Sequence, residues 1–339
     1  MQLALVLPDL RTLLADQAAL VRAPAFAHLL ATAGKPLRES SGLSAVLSAW
    51  YGVARQTDWP LAAIRLAALG GEPGNAYWLA ADPVTLTVGR DDIRFTARVD
   101  DLARADADAL LATLNAHFAA DGLAFIAPVP DAFFVRVAGA PRLTTHPPDE
   151  ASGRSLRTLL PEGPDADTWR RWQSEIQMLL FAHPVNVERE RTGRAPANSL
   201  WFSYGGTLPP RRKFAIPIHT FATAGIAVAL AAHAGTSARA LPNSLDDALS
   251  SVGAAEMIVV DLRAPPDGET DWASIEHSWL APAGDTLDAG RIATVSLLAD
   301  DLGDALLWKG QRLPFWQRIT GRYVRHDLAA LLAVAKKPD

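Results

Sequence analysis

Three apolar runs near the two ends of the chain constrain its fold more than any other feature. They are Leu3–Leu7, Met257–Leu262 and Ala293–Ala299. Strands that are apolar along their whole length are typical of parallel sheets, whose two faces are both covered by helices. Helical patterns at Arg22–Ala33 and Gly225–His233 favour alternating βα units. The two ends of the chain are therefore predicted to share one parallel sheet.

The middle of the chain has a different pattern. Short strands are predicted at Tyr77–Leu79 and Thr85–Val88, and a helix with one apolar face is predicted at Asp106–Ala120. Further strands follow, then a proline-rich loop at Pro141–Pro164 and an amphipathic helix at Asp167–Phe181. Strands and helices in this order indicate an α+β module. We therefore predict an α/β core built from residues 1–73 and 195–339, with an α+β domain inserted at 74–194.

Composition narrows the class of protein. The chain has 339 residues, 49% apolar and 20% charged, so a packed core is expected. Its formal net charge is −5, with acidic and basic residues interspersed, which argues against nucleic-acid binding. The absence of cysteine excludes disulfides and thiolate chemistry. The first apolar run is too short for a signal peptide and the apolar stretch 214–234 fits a packed helix, so a cytoplasmic protein without membrane contact is expected.

One segment, residues 183–200, is unusually dense in specific polar groups. His183, Asn186, Arg189, Arg191 and Asn198 are candidate ligands for a small phosphorylated or otherwise anionic molecule, because arginine binds phosphate and carboxylate in a bidentate fashion. A structural interpretation stands beside this one. The histidine would bond backbone carbonyls at a helix end, the asparagines would fix turns, and the arginines would pair with neighbouring glutamates.

The same segment carries a resemblance to a known family. Eight of its residues match a His-Pro-x-Asn-x-x-Arg…Gly-x-x-Pro-Ala-Asn signature, namely His183, Pro184, Asn186, Arg189, Gly193, Pro196, Ala197 and Asn198. This signature resembles that of the archaeal-type cofactor-independent phosphoglycerate mutases of the alkaline phosphatase superfamily, and Gly74–Leu79 and Ala109–Phe125 are similar to earlier family segments. The segments Tyr77–Val84 and Asn198–Phe202 are similar to segments of proteobacterial RpfE-type regulatory proteins, and the resemblance to that group covers most of the chain. The resemblance implies an alkaline-phosphatase-like core with an inserted cap.

The resemblance also implies a metal centre, and the sequence offers few ligands for it. The family uses two Mn²⁺ or Zn²⁺ ions, a serine nucleophile, and Asp and His ligands. Asp9, Asp261 and Asp300 follow predicted strands, but no histidine stands at the expected distance from them. Ser40, Ser41 and Ser44 are candidate nucleophiles outside the family's serine context. We therefore expect no metal or other cofactor, and no assignable catalytic residue.

Three functional interpretations remain open from the sequence. The first is a non-catalytic relative of the mutases that acts as a regulatory or ligand-binding protein. The second is an active phosphoglycerate mutase or metal-dependent phosphatase with a rearranged Mn²⁺ or Zn²⁺ site. The third is an interaction scaffold: most of the ten tryptophans are expected in the core, and a few would form surfaces that dock a protein partner.

Overall fold

A computed structural model describes residues 1–10, 13, 23–88, 93–147, 159–214, 217–253, 255–263, 271–301 and 304–312. Its described strands are β1 Gln2–Val6, β2 Leu37–Glu39, β3 Tyr77–Val88, β4 Ile93–Arg98, β5 Leu123–Val129, β6 Ala132–Val137, β7 Ser199–Gly206, β8 Ile218–Phe221, β9 Ala238–Arg239, β10 Met257–Asp261, β11 Thr294–Asp301 and β12 Asp304–Gln311. Its described helices are α1 Pro24–Ala33, α2 Gly42–Trp50, α3 Leu61–Ala68, α4 Arg104–Phe118, α5 Ala166–Phe181, α6 Pro184–Arg191, α7 Ile226–His233, α8 Leu245–Ser250, α9 Trp272–Ile275 and α10 Ala281–Asp288, with a π-helical turn at Glu276–Leu280 between the last two.

Contacts within the chain divide it into two units. One, the parallel-sheet unit, comprises residues 1–52 and the described part of 211–339, and the other, the inserted unit, comprises residues 53–210. The inserted unit is wider than the predicted 74–194. The reason is that β7 pairs with β3 in the sheet of the inserted unit, and α3 packs on both strands. The segments 53–73 and 195–210 therefore belong with the insertion.

The parallel-sheet unit is built on a seven-stranded sheet of order β2-β12-β11-β1-β10-β8-β9. Strand β1 lies between β10 and β11 and runs parallel to both, so that Val6 is beside Asp261 on one side and Leu298 on the other. Strands β12 and β2 continue the sheet in antiparallel fashion. The predicted α/β class with a parallel-sheet core is confirmed, and the antiparallel edge is a feature that the sequence interpretation missed.

The core of this unit follows from the apolar runs. Leu3 and Leu5 of β1 are fully buried in one cluster with apolar side chains of β10 and β11. Phe26, Leu29 and Leu30 of α1 pack into the same cluster at helical spacing. Each fully buried side chain of this size contributes roughly 1.5–3 kcal/mol relative to exposure. Burial of one helix face against the sheet therefore holds the βα arrangement in place.

The inserted unit contains a sheet of order β4-β3-β6-β5, with β7 on the opposite edge of β3. The two strands predicted at Tyr77–Leu79 and Thr85–Val88 are one strand, β3, of 12 residues. Pro83 lies where the partner on one edge changes, because β6 pairs as far as Ala80 and β4 begins at Val84. A proline needs no hydrogen-bond acceptor at such a gap, since it lacks an N–H.

Two further observations complete the fold. In the predicted loop Pro141–Pro164, a bridge joins Thr144 to Glu162, and residues 148–158 between them lie outside the described part of the chain. None of the described helices combines the length and the hydropathy that crossing a lipid bilayer requires.

Candidate functional site

His183 marks the corner between α5 and α6 in the inserted unit. It caps the beginning of α6, where its Nδ1 accepts a hydrogen bond from the Val185 backbone N–H at 3.3 Å. The sequence interpretation places His183 at the end of a helix, whereas here its side chain caps the beginning of the next one. Burial lowers the pKa of this imidazole, which favours its neutral form. The other ring nitrogen, Nε2, lies 3.1 Å from Thr113 Oγ1, and a backbone hydrogen bond with Ala109 acts against the effect of burial on the pKa.

Asn186 is buried and directs its side chain at the backbone on both sides of the corner. Its Nδ2 donates to the carbonyls of Leu180 at 2.8 Å and Ala197 at 2.9 Å, and its Oδ1 accepts from the Ala197 N–H at 2.8 Å. The side chain therefore joins the end of α5 to the segment that precedes β7. This geometry corresponds to the turn-fixing interpretation.

The two arginines of α6 differ in environment. Arg189 is 0% exposed, and its Nε donates to the Ala195 carbonyl at 2.8 Å while its guanidinium pairs with the Asp101 carboxylate. Arg191 has a side chain 70% exposed and forms a bidentate pair with Glu188, one turn earlier on the same helix. Arg189 therefore acts as an internal tie, whereas Arg191 lies on the solvated face.

Asn198 extends the pairing of β7 with β3 through its side chain. Its Nδ2 donates to the Leu86 carbonyl at 2.9 Å, and its Oδ1 accepts from the Leu86 N–H at 2.8 Å. Beside it, Thr85 Oγ1 donates to the Pro196 carbonyl at 2.7 Å. The shift in the β3–β4 register falls at Thr85 and Leu86, so the carboxamide satisfies backbone groups at an irregular point of the sheet.

The signature residues thus share one property. The described hydrogen bonds of His183, Asn186, Arg189 and Asn198 run to other groups of the chain, and they connect α4, α5, α6, β3 and β7. Anion binding by these four residues and Arg191 stays a prediction.

The three candidate metal ligands belong to neighbouring strands of the parallel sheet or to the residues that follow them. Asp261 ends β10, Asp300 lies two residues beyond Leu298 of β11, and Asp9 follows β1 between them. Among the described residues, no group of three or more His, Cys, Asp or Glu side chains could hold a metal ion.

Asp261 has a cationic partner from its own chain. The carboxylate is 7% exposed, and Arg263 donates to it from Nε at 2.9 Å and from a terminal nitrogen at 2.7 Å, in a bidentate pair. The Arg263 backbone N–H adds a third hydrogen bond at 3.2 Å. A two-metal centre of the mutase type needs carboxylates that present free lone pairs to the ions. At Asp261 a cation would compete with the Arg263 guanidinium for both oxygens, and the described residues supply no group of three ligands around it, so the donor set does not fit such a centre.

A buried hydroxyl pair lies near the same edge. The Tyr51 phenol and Thr220 Oγ1 are 2.5 Å apart, and both residues are buried. Burial raises the pKa of Tyr51, and the charge of Asp261 raises it further. Sequence reasoning missed this pair, since a tyrosine at the end of a helix and a threonine in a strand carry no spacing signal. Of the candidate nucleophiles, Ser44 is buried in α2, Ser41 precedes that helix, and Ser40 is exposed.

Comparisons with known proteins identify distant relatives. A 2,3-bisphosphoglycerate-independent phosphoglycerate mutase of Methanosarcina barkeri is 33% identical over 63 residues, which cover 19% of this chain and 16% of that protein. The enzyme named 2,3-bisphosphoglycerate-independent phosphoglycerate mutase 2 from Methanothermobacter thermautotrophicus is 28% identical over 168 residues, or 44% of this chain and 42% of its own length. The matched segments thus span less than half of either relative. No family model matches the chain.

Two solved structures are similar over nearly the whole chain. The cofactor-independent phosphoglycerate mutase of Thermoplasma acidophilum has 14% identity and a TM-score of 0.41 over 98% of this chain and 99% of that one. The PH0037 protein of Pyrococcus horikoshii has 14% identity and a TM-score of 0.44 over 100% and 98%. From the sequence matches, the chain is a distant relative of cofactor-independent phosphoglycerate mutases. The resemblance to RpfE-type proteins stays a prediction.

Proposed function

We propose that this protein is an alkaline-phosphatase-type relative of the phosphoglycerate mutases that works as a cytoplasmic regulatory or ligand-binding protein, without two-metal phosphoryl transfer. The bidentate pair of Asp261 with Arg263 carries the proposal. Arg263 supplies at this carboxylate the positive charge that a metal ion supplies in a metalloenzyme. For a divalent cation to bind Asp261, the guanidinium would have to leave a charge-assisted contact in a largely buried setting.

The contacts of the signature segment support the same proposal. Its side chains fix the α5–α6 corner and the junction of β7 with β3, so similarity to the mutases in this segment reflects the requirements of folding. A protein can keep such a segment while its chemistry changes, because function resides in sites and not in the fold. A small phosphorylated or anionic molecule is the ligand class we propose.

The test is metal content together with turnover. Purified wild-type protein, saturated with Mn²⁺ or Zn²⁺ and then desalted, is analysed for bound metal and assayed with 3-phosphoglycerate and an aryl phosphate. We expect no stoichiometric metal and no turnover. Two tightly bound ions with turnover would overturn the proposal and favour an active mutase or phosphatase that uses Asp9, Asp261 and Asp300.

A substitution of Arg263 makes this test sharper. If the guanidinium occupies the role of the cation, Arg263→Met leaves Asp261 buried without its partner and increases affinity for a divalent ion at this position. Arg194→Met, at an exposed position of the inserted unit, is the matched control. Equal metal binding by wild type and both variants would show that Arg263 does not govern metal access.

The scaffold interpretation has little support in the described part of the chain. Six tryptophans are at most 8% exposed, namely Trp78, Trp169, Trp201, Trp272, Trp279 and Trp308. Trp316 lies outside the described residues. Side chains buried in this way serve the cores of their own units and are not available to dock a partner.

A further inference from the structure

The corner between α5 and α6 reverses the usual placement of polar and apolar side chains. Its two polar residues face inward, since Asn186 is 1% exposed and bonded to the backbone, and His183 is partly buried and caps α6. The exposed residues of the segment 178–187 are all apolar, namely Met178, Phe181, Ala182, Pro184 and Val187. We call Met178, Phe181, Ala182 and Pro184 the corner patch, with Val187 at its edge.

The helical phase of α5 explains why these side chains lie outside. Ile176 and Leu180 face the core of the inserted unit, so Met178 and Phe181 are directed away from it. Met178 is 70% exposed and Phe181 is 76% exposed, the two highest values among the large apolar side chains in the described part of the chain. A single exposed apolar residue is ordinary, but a contiguous group marks an interaction surface.

The area of the corner patch agrees with the apolar share of a dimer interface. Phe181 alone leaves roughly 150 Å² outside, and the whole patch presents roughly 400 Å². Two copies would together bury about 800 Å² of apolar surface, whereas an interface of standard size buries about 1,600 Å² in total and is roughly 60% apolar. Phenylalanine and methionine are also enriched at the centres of interfaces.

The charges beside the corner patch indicate the kind of partner. On α5, Arg171 lies 3.6 Å from Glu175, and on α6, Arg191 lies 2.7 Å from Glu188. Each side of the patch therefore carries one base and one acid, and these four charges sum to zero. A strongly acidic or basic partner would gain little from such surroundings, whereas a copy of the same surface meets no net repulsion. A twofold axis would bring each mixed pair next to a mixed pair of the other copy.

We propose that the corner patch is a homodimer interface, packed across a twofold axis against the corner patch of a second copy of this chain. Association removes the apolar side chains of both copies from water, and this burial drives it. Phe181 supplies the largest area, and Met178 adapts its flexible side chain to the facing surface. Val187 lies at the edge, where contacts contribute little to affinity. The dimer is independent of metal access at Asp261.

Sedimentation equilibrium of the full chain measures this association. Over about 1–100 μM we expect wild type to show a monomer–dimer equilibrium. Phe181→Glu places a charge in the apolar centre and should raise the dimer dissociation constant by at least about 30-fold. Leu37→Glu adds the same charge at a side chain 61% exposed in the parallel-sheet unit, and it should leave the constant unchanged. A wild type that stays monomeric, or equal constants for the two variants, would overturn the proposal and leave the patch to a different partner.

A cross-link tests the same contact without a change of charge. The chain contains no cysteine, so Met178→Cys introduces a single thiol. At concentrations where wild type dimerises, a short bismaleimide should join two copies of Met178→Cys, and adding Phe181→Glu should abolish the product. Leu37→Cys should remain uncross-linked. Circular dichroism checks that Phe181→Glu is folded, and if it is not, the two cysteine variants decide. Cross-linking of both cysteine variants alike, or of neither, would contradict the interface.

Discussion

Replacing Asn186 by alanine tests whether the signature segment is a structural tie. The change removes three hydrogen bonds, to the Leu180 carbonyl and to both backbone groups of Ala197. The site is 1% exposed, so water cannot readily replace the lost partners. With about 1 kcal/mol for each bond, we expect the inserted unit to lose about 3 kcal/mol of stability. For a unit of this size, the loss corresponds to a fall in melting temperature of roughly 6–12 °C.

The isosteric change Asn186→Asp sharpens the test. Aspartate keeps an oxygen for the Ala197 N–H, but it places a second oxygen opposite the carbonyls of Leu180 and Ala197, where the wild type has an amide donor. We expect this variant to be at least as destabilised as Asn186→Ala, because a buried charge then faces two acceptors.

Urea unfolding followed by tryptophan fluorescence measures both changes, since the buried Trp169 reports on the inserted unit. Val187→Ala, at a side chain 55% exposed on the same helix, is the control and should cost little. A loss below about 1 kcal/mol for Asn186→Ala, or a loss equal to that of the control, would refute the structural reasoning. It would also return Asn186 to the list of candidate ligand-binding residues.

Three further predictions concern buried groups. Burial acts to raise the pKa of Asp82, but Arg65 and Arg98 hold this pKa below its usual range. The stabilising contribution of Asp82 is therefore present at neutral pH and is lost as the pH falls through the folded-state pKa. Asp82→Asn should cost about 3–5 kcal/mol at pH 7 and remove this acid-dependent slope from unfolding titrations. Burial raises the pKa of Glu276, although hydrogen bonds from the N–H groups of Ala25 and Phe26 at the start of α1 act in the opposite direction. The contribution of Glu276 to stability is therefore complete at low pH and declines as the pH rises through the raised pKa. Glu276→Gln should flatten that decline in the same unfolding titrations. Gly205→Ala should destabilise the inserted unit, because the added Cβ would lie 2.4 Å from the Tyr77 oxygen, and a calorimetric melt should show partial rescue when Tyr77→Phe is added.

The elements that the sequence predicts well are those with long, strong periodicity. Helix α5 is predicted by apolar residues at helical spacing, and strand β10 by a continuous apolar run. Burial in the structure agrees with both patterns. The sequence predicts two strands in place of β3, because Asp82 and Pro83 interrupt its apolar run. The structure accommodates both, since Asp82 meets Arg65 and Arg98 and Pro83 falls between two pairing partners. Tertiary contacts of this kind carry no local signal.

The candidate sites were less predictable for a related reason. Segment 183–198 is dense in polar residues, yet that density does not reveal whether a side chain faces solvent or its own backbone. Asp58 carries no sequence signal of its own, because a lone acidic residue in a polar connection resembles a solvated turn. Its buried carboxylate accepts hydrogen bonds from Thr145 and Gly205, which are far away in sequence. Nor does the spacing of Asp261 and Arg263 indicate that both carboxylate oxygens are engaged.

The resemblance to the mutases is carried by one part of this molecule, whereas the chemistry of the mutases would depend on another. The signature that carries the resemblance lies in the inserted unit, where Asn186 and Arg189 bind backbone and neighbouring side chains. Phosphoryl transfer would depend on the parallel-sheet unit, where Arg263 engages Asp261. Substitutions at Asn186 and Arg263 therefore address separate questions, and their effects on stability should add. If Asn186→Ala reduced stability while wild type and Arg263→Met both turned over 3-phosphoglycerate, the structural interpretation of the signature would stand and the proposed function would fall.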